Sequence, residues 1–154
     1  MIFSFYSIFI IYNQILLIRY NKIHITMNLI ISYTHKLGRK FMMIDIEKLN
    51  KDWEMVKRNN ATIRASIELE INAEKRKKLL QCQDKIEATD NHFYASMIAE
   101  AKKINSIDDS NMSSYEKFLE VDRLNYGINS INTNYEKDAK ALYNEFMKIQ
   151  KERG

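Results

Sequence analysis

From Arg39 to Tyr126 the chain contains neither glycine nor proline, so nothing in that stretch forces the backbone to turn. Sandwiches and barrels need turn residues at each strand junction. Three glycines in 154 residues (Gly38, Gly127 and Gly154) and no proline cannot supply them. The same scarcity excludes a glycine-rich phosphate loop. What remains is an all-α chain of long helices, either a helical hairpin or a three-helix antiparallel bundle with coiled-coil character.

Hydrophobic spacing places the helices. Ile46, Leu49, Trp53, Val56, Asn60, Ile63 and Ile67 recur at steps of three and four, a heptad seam with one polar member. Glu47, Lys48, Lys51, Asp52, Glu54 and Arg58 occupy the opposite, solvated face. Glu47 before Lys51 and Glu54 before Arg58 are acid-before-base pairs four residues apart, each worth about 0.2–0.5 kcal/mol to a helix. Beyond Ile67 the stripe continues through Ile71, Leu79, Leu80, Cys82 and Ile86, but Ala73–Lys78 is mostly charged, so the register is expected to drift. Thr89-Asp90-Asn91 offers N-cap residues. It predicts a break there and a new helix from about Asn91 to Ile104, with an uninterrupted helix as the alternative. Asn105–Ser113 reads as a loop. Ser113 and Glu116 have capping-box spacing, opening a final helix to about Gln150 whose inner face is Val121, Leu124, Ile128, Ile131, Tyr135, Ala139, Leu142, Phe146 and Ile149.

Residues 1–41 differ in kind from residues 42–154. They carry five of the chain's 24 basic residues (Arg19, Lys22, Lys36, Arg39, Lys40) and no acid. Residues 42–154 therefore hold 19 basic and 20 acidic residues, a net charge of −1 beneath a whole-chain value of +4. The leader also lacks Ala, Val, Cys and Trp and is rich in Ile, Phe, Tyr, Asn, Leu and Lys, residues with AT-rich codons. Gly38-Arg39-Lys40 can be encoded by a purine run resembling a bacterial ribosome-binding site just before Met42 and Met43. This bias predicts a mis-annotated start, with translation beginning at Met42 or Met43 in a bacterial or phage gene. The competing expectation is a membrane anchor. Residues 1–18 carry no charge and would reach roughly 27 Å as a helix, barely the hydrocarbon thickness. Arg19 and Lys22 would then keep the body in the cytoplasm.

Residues able to carry chemistry are few. His24 and His35 lie in the leader, leaving His92 without a second ligand at helical spacing, and no Glu-x-x-His motif of a di-iron bundle is present. Cys82 has no motif partner and reads as a packed thiol, and a single cysteine suits a reducing compartment. Asp108-Asp109 lacks the further oxygen ligands and glycine of a calcium loop. No catalytic, cofactor-binding or metal residue is expected. Lys75-Arg76-Lys77-Lys78 is the densest basic run and the one nucleic-acid candidate. Glu68, Glu70 and Glu74 beside it and the absence of interleaved aromatics favour a solvated face. Tyr94, Tyr115, Tyr126, Tyr135 and Tyr143 read as core-edge positions, not as a base-stacking platform.

These readings predict a small, cytoplasmic, non-enzymatic accessory protein that works by protein–protein contact. Its candidate surface is the seam Ile46–Ile67, and its partner another helix or itself as a homo-oligomer. Asn60 would set register in such an oligomer, or else lie at the seam's edge against water. A membrane-anchored coiled coil is the first alternative and a nucleic-acid binder through Lys75–Lys78 the second.

Overall fold

The computed structural model describes residues 44–107 and 109–152. Among them are three helices, α1 (Ile46–Ile67), α2 (Ala73–Ser106) and α3 (Ser114–Lys151), and no strand. The fold is all-α, and all three helices lie in one compact unit, Asp45–Gly154. The expectations placed on residues 1–41, the shifted start and the apolar span 1–18, concern residues outside this description, as do His24, His35 and Asp108.

Each helix begins on a side-chain cap. The Asp45 carboxylate accepts from the Lys48 amide at 2.9 Å, and the Asn72 side chain accepts from the Lys75 amide at 2.9 Å. Ser113 and Glu116 form the expected capping box: the Glu116 carboxylate accepts from the Ser113 amide at 2.8 Å, and Ser113 Oγ accepts from the Glu116 amide at 3.3 Å. Such caps satisfy amide donors that the first helical turn leaves without partners, each cap contributing about 1 kcal/mol.

The break expected at Asp90 is not there. α2 runs through Thr89-Asp90-Asn91 without interruption, and the chain turns instead at Glu68–Asn72. The reason lies in what the capping-type residues bind. At 89–91 they are taken by tertiary and local partners: Thr89 Oγ1 donates to the Lys85 carbonyl, Asp90 accepts from α1 and α3, and Asn91 accepts from Trp53. At 68–72 the turn is closed locally. Asn72 caps α2, the Glu70 carboxylate accepts from the Asn72 amide at 3.1 Å, and Arg76 donates to the Glu70 carbonyl at 3.0 Å. Ile71, expected in the apolar stripe, falls in this turn and is exposed.

α2 is the central element. α1 runs antiparallel to it, with Trp53 stacked on Tyr94 at a centroid distance of 6.2 Å and Arg64 paired with Glu87 and Asp84 toward the other end. α3 also runs antiparallel, from Tyr135 stacked on Phe93 at 4.2 Å to Glu145 paired with Lys85 at 2.8 Å. The core joins Val56, Ile63 and Ile67 of α1 with Leu79, Cys82, Ile86, Phe93, Met97, Ile98, Ala101 and Ile104 of α2. α3 adds Leu124, Ile128, Tyr135, Phe146 and Ile149. The helices are unequal, at 22, 34 and 38 residues. Trp53 sits beside Tyr94, so α1 gives out near the level of Ala101. Beyond it, among the described residues, the end of α2 and the first turns of α3 continue as a two-helix pair.

Candidate interaction surfaces

The seam read from the sequence faces inward. Val56, Asn60, Ile63 and Ile67 are buried, and Ile46, Leu49 and Trp53 are half-buried. α2 is the helix it packs on, so most of the apolar surface expected to meet a partner is covered within the chain. Trp53 is held there on three sides. Its indole N–H donates to Asn91 Oδ1 at 2.9 Å, its ring stacks on Tyr94, and the Lys57 ammonium sits 4.1 Å from the ring centroid.

Asn60 fits neither role expected of it. It lies within the protein, where its Nδ2 donates to Asp90 Oδ2 at 2.8 Å and its Oδ1 accepts from Gln83 Nε2 at 3.3 Å. Asp90 also accepts from the Tyr135 hydroxyl at 2.7 Å, so one carboxylate, 2% exposed, ties α1 and α3 to α2. Gln83 Nε2 also donates to Glu87 at 3.2 Å, and Glu87 accepts from Arg64 Nε at 3.1 Å. The Gln83 side-chain oxygen, Oε1, within this network has no hydrogen-bond partner, and an unmet buried acceptor costs about 1–3 kcal/mol. Asp90, Gln83 and Tyr135 were not legible as a group, because only the antiparallel packing brings residues 60, 83, 90 and 135 together.

The basic run clamps helix ends. Lys78 pairs with Glu152 at 3.0 Å, Lys75 donates to the Glu152 carbonyl at 3.1 Å, and Arg76 holds the Glu70 carbonyl. Cations here meet the C-terminal end of α3, where backbone carbonyls concentrate negative charge. Of the four, Lys77 makes no such clamp and is exposed.

Cys82 is buried, and its Sγ–H donates to the Leu142 carbonyl at 3.6 Å. Burial pushes its pKa up to about 11; the Glu145 carboxylate adds to the rise and Lys85 opposes it. A thiol held protonated in this way suits packing, since thiolate is the nucleophile. His92 and Asp109 are exposed. Among the described residues no group of three or more His, Cys, Asp or Glu could hold a metal ion, and no helix is long and apolar enough to cross a membrane.

Large apolar side chains reach solvent mainly at the start of α3. Tyr115 is 70%, Phe118 59%, Leu119 48% and Tyr126 80% exposed, with Met112 just before them. Leu124 and Ile128, on the opposite side of the helix, are buried. Tyr115 and Tyr126, expected at core edges, stand instead on the outer face. The signal lies in the helix's own phase: Tyr115, Leu119 and Tyr126 fall half a turn from Leu124 and Ile128. No family model matches this sequence, and neither curated proteins nor solved structures provide a similar chain.

Proposed function

We propose that this is a non-enzymatic helical protein that acts through protein–protein contact, in the cytoplasm, and that its contact surface is the outer face at the start of α3. The observation that carries this reading is the exposed stripe Tyr115, Phe118, Leu119 and Tyr126. Three aromatic rings of roughly 150–250 Å² each, exposed by more than half, present on the order of 400 Å² of ring surface. That is within the range of the largest apolar patches on monomers, which are often functional. Aromatic side chains are also enriched at interface centres, where two rotatable bonds limit the entropy lost on binding. The single cysteine, buried and free, supports a reducing compartment.

The reading is tested by placing a photo-crosslinking phenylalanine analogue at Tyr126 or, as a control on the same helix, at exposed Lys137, in cells making the full chain. Protein adducts from position 126 and not from 137 are expected. Equal adducts from both, or none from 126, would overturn the assignment of this face.

A further inference from the structure

The stripe has a register. Tyr115, Leu119, Asp122 and Tyr126 follow one another at steps of four, three and four, which keeps them in line along the face turned away from α2. Along one edge of that line stand exposed Glu116 and Arg123, opposite in sign and seven residues apart. Glu116 is held in its cap with Ser113 and Arg123 is forked onto Glu120 one turn earlier, so a partner would share these charges and not find them open. Along the other edge stand Phe118 and Asn125.

This spacing is self-complementary under a two-fold rotation. Two copies of the face laid antiparallel, with the axis between Leu119 and Asp122, set Tyr115 across from Tyr126 and Leu119 across from Asp122. They also set Glu116 across from Arg123, and each pairing occurs twice, as two-fold symmetry requires. A parallel pair in register would instead lay the Glu116–Arg123 edge of each copy against the Phe118–Asn125 edge of the other, so the opposite charges would not meet.

We propose that a second copy of this chain covers the outer face of α3 in this antiparallel register. The proposal rests on the contact reading above and names its partner. The area sets the strength: about 400 Å² of aromatic surface per copy is roughly half of the 800 Å² a standard stable interface buries on each side. Asp122 within the line weakens it further, so the pair forms and separates with concentration.

Sedimentation of the full chain across a wide concentration range tests this, with far-ultraviolet circular dichroism to verify helix content. The wild-type chain is expected to shift from monomer to dimer as concentration rises. Glu116→Arg alone and Arg123→Glu alone each place like charges opposite one another twice and should weaken association on the order of tenfold. Mixing the two variants makes both pairings complementary again. The arginine introduced in one copy then faces the glutamate introduced in the other, while the unaltered Arg123 of the first faces the unaltered Glu116 of the second. The mixture should therefore restore dimers at wild-type concentrations. If Glu116→Arg loses helix through its cap, Tyr126→Lys replaces it and must abolish association. A chain that stays monomeric throughout, single variants that associate like wild type, or a mixture that fails to recover would each overturn the proposal. Crosslinking from position 126 to a different protein would overturn the second copy as partner while leaving the contact reading intact. Loss of adducts altogether would remove both.

Discussion

The two ends of α3 carry one phenylalanine each in opposite circumstances. Phe146 is fully buried at the end where α1, α2 and α3 run side by side, and Phe118 is 59% exposed at the end α1 does not reach. Both sit on the same well-capped helix, so helix propensity does not separate them. The difference is phase and coverage. Phe146 continues the inward line of Leu124, Ile128 and Tyr135, whereas Phe118 stands off that line where, among the described residues, α2 alone provides cover. One end of the bundle holds the fold together, and the other presents apolar surface that the described helices leave exposed.

Truncating the two rings sharpens the contrast most. Phe146→Ala should cost about 3–5 kcal/mol of unfolding free energy, the usual range for emptying a buried aromatic site. Phe118→Ala should stay within about 0.5 kcal/mol, as surface changes do. Both are read by urea unfolding, and equal losses would erase the distinction. Asp90→Ala comes next, at about 3 kcal/mol, because it removes the buried carboxylate that accepts from both the Asn60 amide and the Tyr135 hydroxyl. A loss below about 1 kcal/mol would mean that the carboxylate does not bind the three helices together.

Gly127→Ala should change stability in the opposite direction. A Cβ at this position would find its nearest neighbour, a Glu100 carboxylate oxygen, at 3.9 Å, an ordinary contact. The substitution should therefore stabilise α3 by about 0.5–1 kcal/mol through helix propensity alone. A lowered thermal midpoint would show that the space is not free.

The smallest effect is on the covered side and depends on pH. With its folded pKa raised from the ordinary 9.0 to about 11, Cys82 binds its proton more tightly folded than unfolded. Its contribution is therefore complete below about pH 9 and is lost as pH rises from there through about 11. In the folded chain near pH 8 it should resist alkylation by iodoacetamide that rapidly labels the urea-unfolded chain. Prompt labelling of the folded chain would place the thiol in solvent.

Residue phase made the helices and most of the core legible in advance. Val56, Ile63, Ile67, Leu124, Ile128 and Phe146 all lie where three- and four-residue spacing put them. The Ser113–Glu116 cap could be read because both halves of its hydrogen-bond exchange lie within four residues. The turn could not be located in the same way. Asn72 and Thr89-Asp90-Asn91 are equally able to cap a helix, and the choice between them depends on Trp53, Asn60 and Tyr135, which approach only after the helices pack. For the same reason Asn60, which the seam alone reads either as a register residue in an oligomer or as a seam-edge residue against water, has its partners in Asp90 and Gln83 of its own chain. The outer stripe was legible in principle, since Tyr115, Leu119 and Tyr126 oppose Leu124 and Ile128 on the helix. Recognising it required knowing that, among the described helices, α3 packs on α2 alone, which leaves its outer face uncovered.

The claim that the two ends of the bundle do different work is tested most directly by amide hydrogen exchange of the full chain, followed by mass at low and at high protein concentration. Residues 56–63 and 83–97 should exchange slowly and at the same rate at both concentrations. Residues 114–126 should exchange faster in dilute solution and slow down as the chain is concentrated. Exchange at 114–126 that is as slow as in the core when dilute, or that does not respond to concentration, would contradict the account.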